Sequence, residues 1–568
     1  MTTGNGSTTA QLVDKHRPTL DRALDAIRTR EFWSPHPEHP KAYGEGAAEE
    51  GKAAFDALRG SRFEVPGQPV SGEWVASEVS PYGLEMDISY PRADEGALDA
   101  LLPVMRAGLS AWRDAGPEVR AAVCLEILAR ISARTHEFAQ AVMHTSGQAF
   151  MMAFQAGGPH AQDRGMEAVA YAFAEQVRTP ESAAWEKPQG KRDPLRVTKE
   201  FTPTGRGIAL LVGCNTFPTW NGFPGFFASL ATGNAVLVKP HPRAVLPLAL
   251  TVRIAREVLE EAGFAPDLVA LAAEAGGDGI AKDLATRPEI RVIDYTGGSA
   301  FGEWLEANAR QARVFTEKSG VNTVVIDSTG DYKGMLANLA FSLSLYSGQM
   351  CTTPQNLLIP RDGIETDAGR KSYDEVVADL GTSVGKLLGD DARANGLLGA
   401  LVNDQVRERI ESAPSLGEVA LPTREVENPE FPGATVRTPV IVKLDAAKPE
   451  AEAAYLSECF GPVSFAVAVG STDEALSLLR RTIRTRGAMT VSAYTTSPEV
   501  ERQVEEVCFD EPAQLSLNLT GGVYVNQTAA FSDFHGSGGN PAANCALSDG
   551  AFVADRFRVV EVRRMTEA

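Results

Sequence analysis

Apolar residues at helical spacing mark the first element: Leu20, Leu24 and Ile27 share one face and predict a helix that ends before the SPHPEHP turn at 34–40. The Gly/Ser/Thr-rich residues 1–10 are expected to fray. LEMDISY at 84–90, bounded by Gly83 and Pro91, alternates like a strand. A further helix starts at Pro117 and places Cys124, Ile127, Leu128 and Ile131 on one face, which assigns Cys124 to the core.

From 205 the pattern changes to short apolar runs separated by amphipathic helices. Strands are predicted at 207–213, 235–238, 267–271 and 291–295, with helices at 222–232, 245–262 and 278–286 between them. Repeated strand–helix–strand units imply an α/β, doubly wound parallel sheet that binds nucleotides at its carboxyl edge. A second α/β unit follows, with NTVVIDS, a helix at 332–346, the loop SGQMCTT, the strand NLLIP and a helix near 370–388. The Pro/Glu/Gly-rich stretch 412–436 reads as a connecting loop, and the alternation in RFRVVEVRR at 556–564 predicts a strand reaching for a partner sheet.

Composition narrows the classes. The 568 residues, 43% hydrophobic and 23% charged, are those of an ordinary folded protein of several domains. A formal net charge of −20, with no long Lys/Arg block, argues against nucleic acid or anionic membrane as partner. No apolar stretch is long enough to span a bilayer, and MTTGNGSTTAQLVDKHRP lacks the apolar core of a leader, so a cytoplasmic location is expected. The six cysteines are at least 37 residues apart, which offers no metal-ligand spacing and implies free thiols. His16, His36 and His39 cluster around prolines and read as a solvated loop; no metal site is expected.

Two nucleotide signals fail. GTSVGKLLG at 381–389 has too few residues between its glycines and Leu387 where Ser or Thr is needed, and no GxGxxG follows a predicted strand. Gly297, Gly298 and Gly302 in TGGSAFG do lie between a buried strand and a helix, where backbone donors can face a pyrophosphate. Cys351 stands outside any apolar periodic face, so burial explains it less well than Cys124. A thiol of pKa about 8.5 needs a base or positive potential to act at neutral pH, and Glu317 lies 34 residues upstream in FTEKSG.

Five ordered segments make the chain resemble the aldehyde dehydrogenases: TPTGRGIALLVGCNTFPTW…ATGNAVLVKP, YTGGSAFG, FTEKSG, SGQMC and SECFGPV. The N-terminal extension, NTFPTW, KPHPRA and HGSGGNPAAN are most similar to PaaN-type proteins of phenylacetic acid degradation. The resemblance implies two doubly wound α/β domains and a small β oligomerisation element. Residues 81–190 and 205–318 would form the NAD(P)-binding domain, 319–530 the catalytic domain, and 191–204 with 550–568 the bridging strands, after an extension at 1–80 that is partly helical.

By the same resemblance Cys351 is the nucleophile, Asn215 the oxyanion donor and Glu317 the base, its pKa raised toward neutrality. A gapless match, however, puts Thr216 where a one-residue insertion puts Asn215. Lys239 would hold the adenosine ribose, Gly297 and Gly298 the pyrophosphate, and Glu458 and Phe460 the nicotinamide half. Pro242 replaces an acidic residue common in the family, and Arg243 follows it, so NADP is expected over NAD. The expected activity is oxidation of a small-molecule aldehyde, in the closer resemblance a CoA-linked semialdehyde of aromatic catabolism, by a homodimer or homotetramer. The alternatives are a CoA-acylating dehydrogenase and a non-catalytic structural homologue. Cys214 and Cys459 are expected to line the site without reacting.

Overall fold

Two parallel sheets organise the chain, and their carboxyl edges bound the space between them. The computed structural model describes residues 5–566, with side chains from Thr8 onward. The first sheet has five parallel strands in the order Val269–Leu271, Ala235–Lys239, Ile208–Val212, Ile290–Thr296 and Arg313–Glu317. Ile208–Val212 and Ala235–Lys239 are buried along their whole length, as continuous apolar runs must be when helices cover both faces. Helix Pro218–Ala231 lies close on this sheet because Gly225 has no side chain: a Cβ there would come 2.5 Å from the Asp294 carboxyl carbon.

The second sheet has seven strands. Val440–Asp445, Val463–Val469, Asn356–Pro360, Thr323–Ile326, Thr490–Tyr494 and Gln514–Leu517 run parallel, and Glu418–Leu421 is antiparallel at one edge. That edge strand corrects the reading of 412–436 as loop; its four residues carry too little periodicity to stand out from the Pro/Glu-rich surroundings. A third sheet of three strands joins Phe557–Met565 to Arg192–Gly205 and Ser182–Gln189, all antiparallel. The C-terminal strand therefore finds its partner within its own chain, and the small sheet begins at Ser182, inside the stretch assigned to the nucleotide domain. Trp185, Leu195, Val560 and Met565 stand exposed on it.

The N-terminal segment belongs to the largest core: Leu20, Ala23, Phe55 and Phe63 pack in one cluster with Ile208, Val236 and Leu250. Residues 1–4 lie outside the described residues, but 5–10 are part of helix Asn5–Thr29 rather than frayed chain. The solvated-loop reading of the histidines fails for two of them. His16 sits on that helix, buried against Glu126 at 2.7 Å, and His36 is buried against Asp163 at 2.6 Å; only His39 caps a short surface turn. Each buried imidazole has a carboxylate partner, which satisfies the rule that buried polar groups be paired.

The 84–90 strand shrinks to Tyr90–Pro91, paired with Trp74–Val75. Met86 and Ile88 are buried as their alternation implies, yet the backbone bonds the irregular turn at Gly60–Phe63 rather than a ladder. Nearby, Glu78 accepts from the Val245 and Leu246 N–H groups at 2.6 and 2.7 Å and from Tyr90 Oη at 2.6 Å. Burial outweighs these bonds and pushes its carboxyl up to about 7.

The folded chain thus keeps a proton on Glu78 that the unfolded chain releases, so this group's contribution to stability falls as pH rises from about 4.5 to about 7. Urea unfolding of wild type and Glu78→Gln at pH 5 and pH 8 should show wild type losing about 2 kcal/mol more than the variant over that interval. Equal pH slopes would reject the assignment.

Candidate active site

Cys351 is presented by a turn held from several sides. After helix Tyr332–Ser344, Tyr346, Ser347 and Gly348 have φ of 52°, 50° and 62°, a region that costs a side-chain-bearing residue about 1 kcal/mol or more. Tyr346 Oη donates to the Ser146 carbonyl at 2.5 Å and Ser347 Oγ to the Leu398 carbonyl at 3.2 Å. Gln349 donates to the Tyr346 and Ala400 carbonyls and accepts from the Val402 N–H. A Cβ on Gly348 would lie 2.4 Å from the Gly461 carbonyl oxygen, so SGQMC and FGPV meet backbone to backbone. Asn322 Nδ2 donates to the Cys351 carbonyl at 2.7 Å.

Glu317 ends the edge strand Arg313–Glu317, and a distant loop closes that edge. Asn544 accepts from the Thr316 N–H at 2.8 Å and donates to the Val314 carbonyl at 2.9 Å, while Asn540 exchanges bonds with the Ala488 backbone. HGSGGNPAAN therefore ties the edge of the first sheet to the second domain, and its first residue, His535, enters the site. His535 Nε2 lies 3.7 Å from Cys351 Sγ and 3.2 Å from Glu317 Oε1, with the Trp220 ring edge-on at 4.6 Å. Asn221 Nδ2 donates to Glu317 Oε2 at 2.8 Å.

The electrostatics differ from expectation. Burial opposes ionisation of Glu317, but His535, Cys351 and Asn221 together outweigh it and hold the carboxyl below its ordinary value. A base raised toward neutrality is thus replaced by one already ionised. Burial and the Glu317 charge push the Cys351 thiol well up. Glu317 Oε1 is buried, with His535 Nε2 3.2 Å away and the Cys351 thiol beside it.

Asn215 is not at this centre. Its Nδ2 donates to the Thr145 carbonyl at 2.9 Å, the Thr216 carbonyl accepts from Gln148, and neither residue lines the cavity at Cys351. Asn221, on the first turns of helix Pro218–Ala231, does line it and carries its amide to Glu317. Cys214 sits behind it at 3.8 Å, its thiol pushed by burial up to about 12, and Cys459 lies in a small cavity shared by Cys351, Glu458 and Phe460. Burial raises the Glu458 carboxyl.

At the carboxyl edge of the five-stranded sheet, buried Lys239 is ion-paired with Glu274. This corrects the count of carboxylates: Pro242 leaves none in its own loop, but Glu274 supplies one from the end of the neighbouring strand. The Pro242 carbonyl accepts from Ser77 at 2.6 Å and Arg243 is exposed. Gly297 packs under the Tyr295 ring, whose hydroxyl a Cβ would meet at 2.5 Å, whereas space in front of Gly298 is open at the uncapped start of helix Ser299–Asn308.

A cavity of about 500 Å³ opens on Cys351, Asn221 and His535. Phe217, Trp220 and Tyr524 wall it, and Phe32 and Glu38 of the N-terminal segment complete it. Among the described residues its lining includes Glu38, Asp163 and Asp533 but no Lys or Arg. No described helix is long and apolar enough to cross a membrane.

A partly exposed thiol, an ionised carboxylate beside it and a nucleotide-type sheet edge are the parts of an oxidoreductase that works through a cysteine. The chain belongs to the aldehyde dehydrogenase family, whose model matches residues 71–536. It is an NAD(P)-dependent aldehyde dehydrogenase. A crystal structure described as NAD-dependent aldehyde dehydrogenase from Burkholderia multivorans is 53% identical and superposes with a TM-score of 0.95, over 98% of this chain and 99% of that one. 1-Pyrroline-5-carboxylate dehydrogenase 1 of Halalkalibacterium halodurans is 26% identical over 407 residues, 69% of this chain and 73% of that protein. 2-Aminomuconic 6-semialdehyde dehydrogenase of a Pseudomonas species is 27% identical over 469 residues, 77% and 87% of the two chains.

The Asn221–Glu317 bond should show in kinetics. Removing a hydrogen bond to a buried charge costs roughly 1.5–3 kcal/mol, so Asn221→Ala is expected to lower kcat about ten- to hundredfold. Because Asn221 helps keep Glu317 ionised, the acid limb of kcat against pH should move to higher pH. An unmoved limb would disconnect Asn221 from the base.

Proposed function

We propose that this enzyme oxidises an extended aldehyde, uncharged where it enters the cavity, to the carboxylic acid, with water resolving a Cys351 thioester. The observation that carries the substrate class is the absence of any Lys or Arg among the described lining residues, beside three carboxylates. A substrate that brings a carboxylate into the cavity would meet three carboxylates and no Lys or Arg to pair with, which disfavours it. Aromatic and apolar walls instead suit an uncharged chain or ring. A semialdehyde joined through a thioester to CoA meets that condition, since its pantetheine arm is neutral and its phosphates would remain outside. This supports the PaaN-type reading over a free amino- or dicarboxylic semialdehyde.

Cys351 Sγ attacks the carbonyl carbon, and the resulting oxyanion is met by the Cys351 N–H and the Asn221 carboxamide. The residues at the sheet edge fit a nicotinamide dinucleotide: a buried cation at Lys239, open backbone donors at Gly298 and a carboxylate at Glu458 beside Cys351. When bound, that group supplies the hydride acceptor. Glu317, held ionised by its neighbours, takes a proton from the water that cleaves the thioester.

NAD fits better than the NADP that Pro242 and Arg243 suggested. A 2′-phosphate brought to Lys239 would meet the Glu274 carboxylate, which instead suits ribose hydroxyls. The exposed Trp185, Leu195, Val560 and Met565 support assembly into a homodimer or homotetramer through the small sheet.

An aldehyde panel with each cofactor, with and without CoA, tests the proposal. The expected result is free acid from uncharged or thioester-linked aldehydes, NAD preferred, no need for CoA, and no turnover by Cys351→Ala. Preference for a short carboxylate-bearing semialdehyde would overturn the substrate class, and acyl-CoA as product would overturn hydrolysis. Glu274→Gln should shift the NAD-to-NADP ratio of kcat/KM toward NADP by about tenfold, roughly 1.4 kcal/mol; an unchanged ratio would remove Glu274 from cofactor choice.

A further inference from the structure

The nucleophile has no base in its own motif. Its thiol is buried enough to resist ionisation, and the carboxylate beside it repels a thiolate. Glu317 faces the same thiol, but Oε2 is committed to the Asn221 amide and its neighbours hold the carboxyl below its ordinary value, which weakens it as a proton acceptor. His535 is the third group: its Nε2, Cys351 Sγ and a Glu317 oxygen all lie within 4.8 Å of one another. Nothing in the motifs that place the chain in its family assigns a role to this histidine.

We infer that His535 is a catalytic residue that takes the Cys351 proton on Nε2 and stands as an imidazolium between the thiolate and the Glu317 carboxylate. The S–H bond breaks, an N–H bond forms, and no oxidant is needed. One cation then faces two anions at 3.7 and 3.2 Å, where each charge offsets the desolvation of the others. When water later cleaves the thioester, the thiolate leaves and recovers its proton from Nε2, so the imidazole ends the cycle neutral while Glu317 handles the proton of water. The fold is built to hold this ring. His535 exchanges backbone bonds with Leu547, the Trp220 edge packs on it, and Arg164, lying over Trp220 at 5.4 Å, ties the Asp533 and Leu547 carbonyls.

The other ionisable groups on the elements around it do not supply a competing base. Arg164 is paired with buried Glu167, Asp163 is paired with His36, and Glu458 lies in the small cavity on Cys351. Asp533 and Glu38 are on the cavity wall, with Glu38 joined to His160, and the Cys214 and Cys545 thiols are pushed up by burial.

The proposal rests on Cys351 being the nucleophile, and a readout without turnover separates the two. Iodoacetamide alkylation of Cys351, followed by peptide mass spectrometry from pH 5 to pH 10, reports its thiolate. Wild type is expected to inflect below the ordinary thiol range near about 8.5. His535→Gln should lower the rate at pH 7 at least tenfold and move the inflection up by a unit or more. Glu317→Gln removes one anion that repels the thiolate and stabilises the imidazolium together, so its rate should stay within a few-fold. Wild-type inflection at or above the ordinary range rejects the proposal without any variant, and the reverse order of the two variants assigns the proton to Glu317. Loss of turnover in Cys351→Ala with the alkylation profile unchanged by His535→Gln would leave the nucleophile standing and remove only the histidine.

Discussion

Burying a carboxylate against a thiol raises the energy of both anions, and most of the site answers that constraint. Glu317 is stabilised by an amide from helix Pro218–Ala231 and by a histidine from a loop more than 200 residues later. Cys351 is fixed by a left-handed turn whose Tyr346, Ser347 and Gln349 side chains are bonded to other segments. The two residues come from different sheets, so their separation depends on the strip of loop that bonds both. Asn540 and Asn544 do this with side-chain amides that imitate backbone, which explains the two asparagines of HGSGGNPAAN.

The same reasoning makes the N-terminal segment part of the enzyme rather than an appendage. Its helices share the largest apolar cluster, His16 and His36 are buried on carboxylates of later helices, and Phe32 and Glu38 reach the cavity at Cys351. The negative balance of the whole chain acquires a local meaning there, because the described cavity lining holds three carboxylates and no Lys or Arg. At the sheet edge, Glu274 likewise pairs with buried Lys239.

What could be read in the sequence was whatever is contiguous. The buried strands, Cys351 and Glu317 each sit in a short motif whose residue types suffice for their chemistry, and the strand–helix alternation led to the parallel sheet. His535, Asn221 and Glu274 contact partners 184, 96 and 35 positions away, and no spacing rule connects such pairs. The resemblance pointed to Asn215 or Thr216 as oxyanion donor, whereas the structure bonds Asn215 to the Thr145 carbonyl and turns the Asn221 amide toward Glu317. Alternation in LEMDISY identified which side chains are buried but not what the backbone bonds, since a loop can bury every second residue as well as a ladder can.

The central claim is that Cys351 carries the acyl group and Glu317 releases it. Intact-protein mass spectrometry of Glu317→Gln, quenched after mixing with aldehyde and NAD, tests it most directly. The account predicts a stable mass gain equal to the acyl group, mapped to Cys351, with one equivalent of reduced cofactor per active site. Reduced cofactor formed without any adduct on Cys351, or an adduct mapped to another residue, would contradict it.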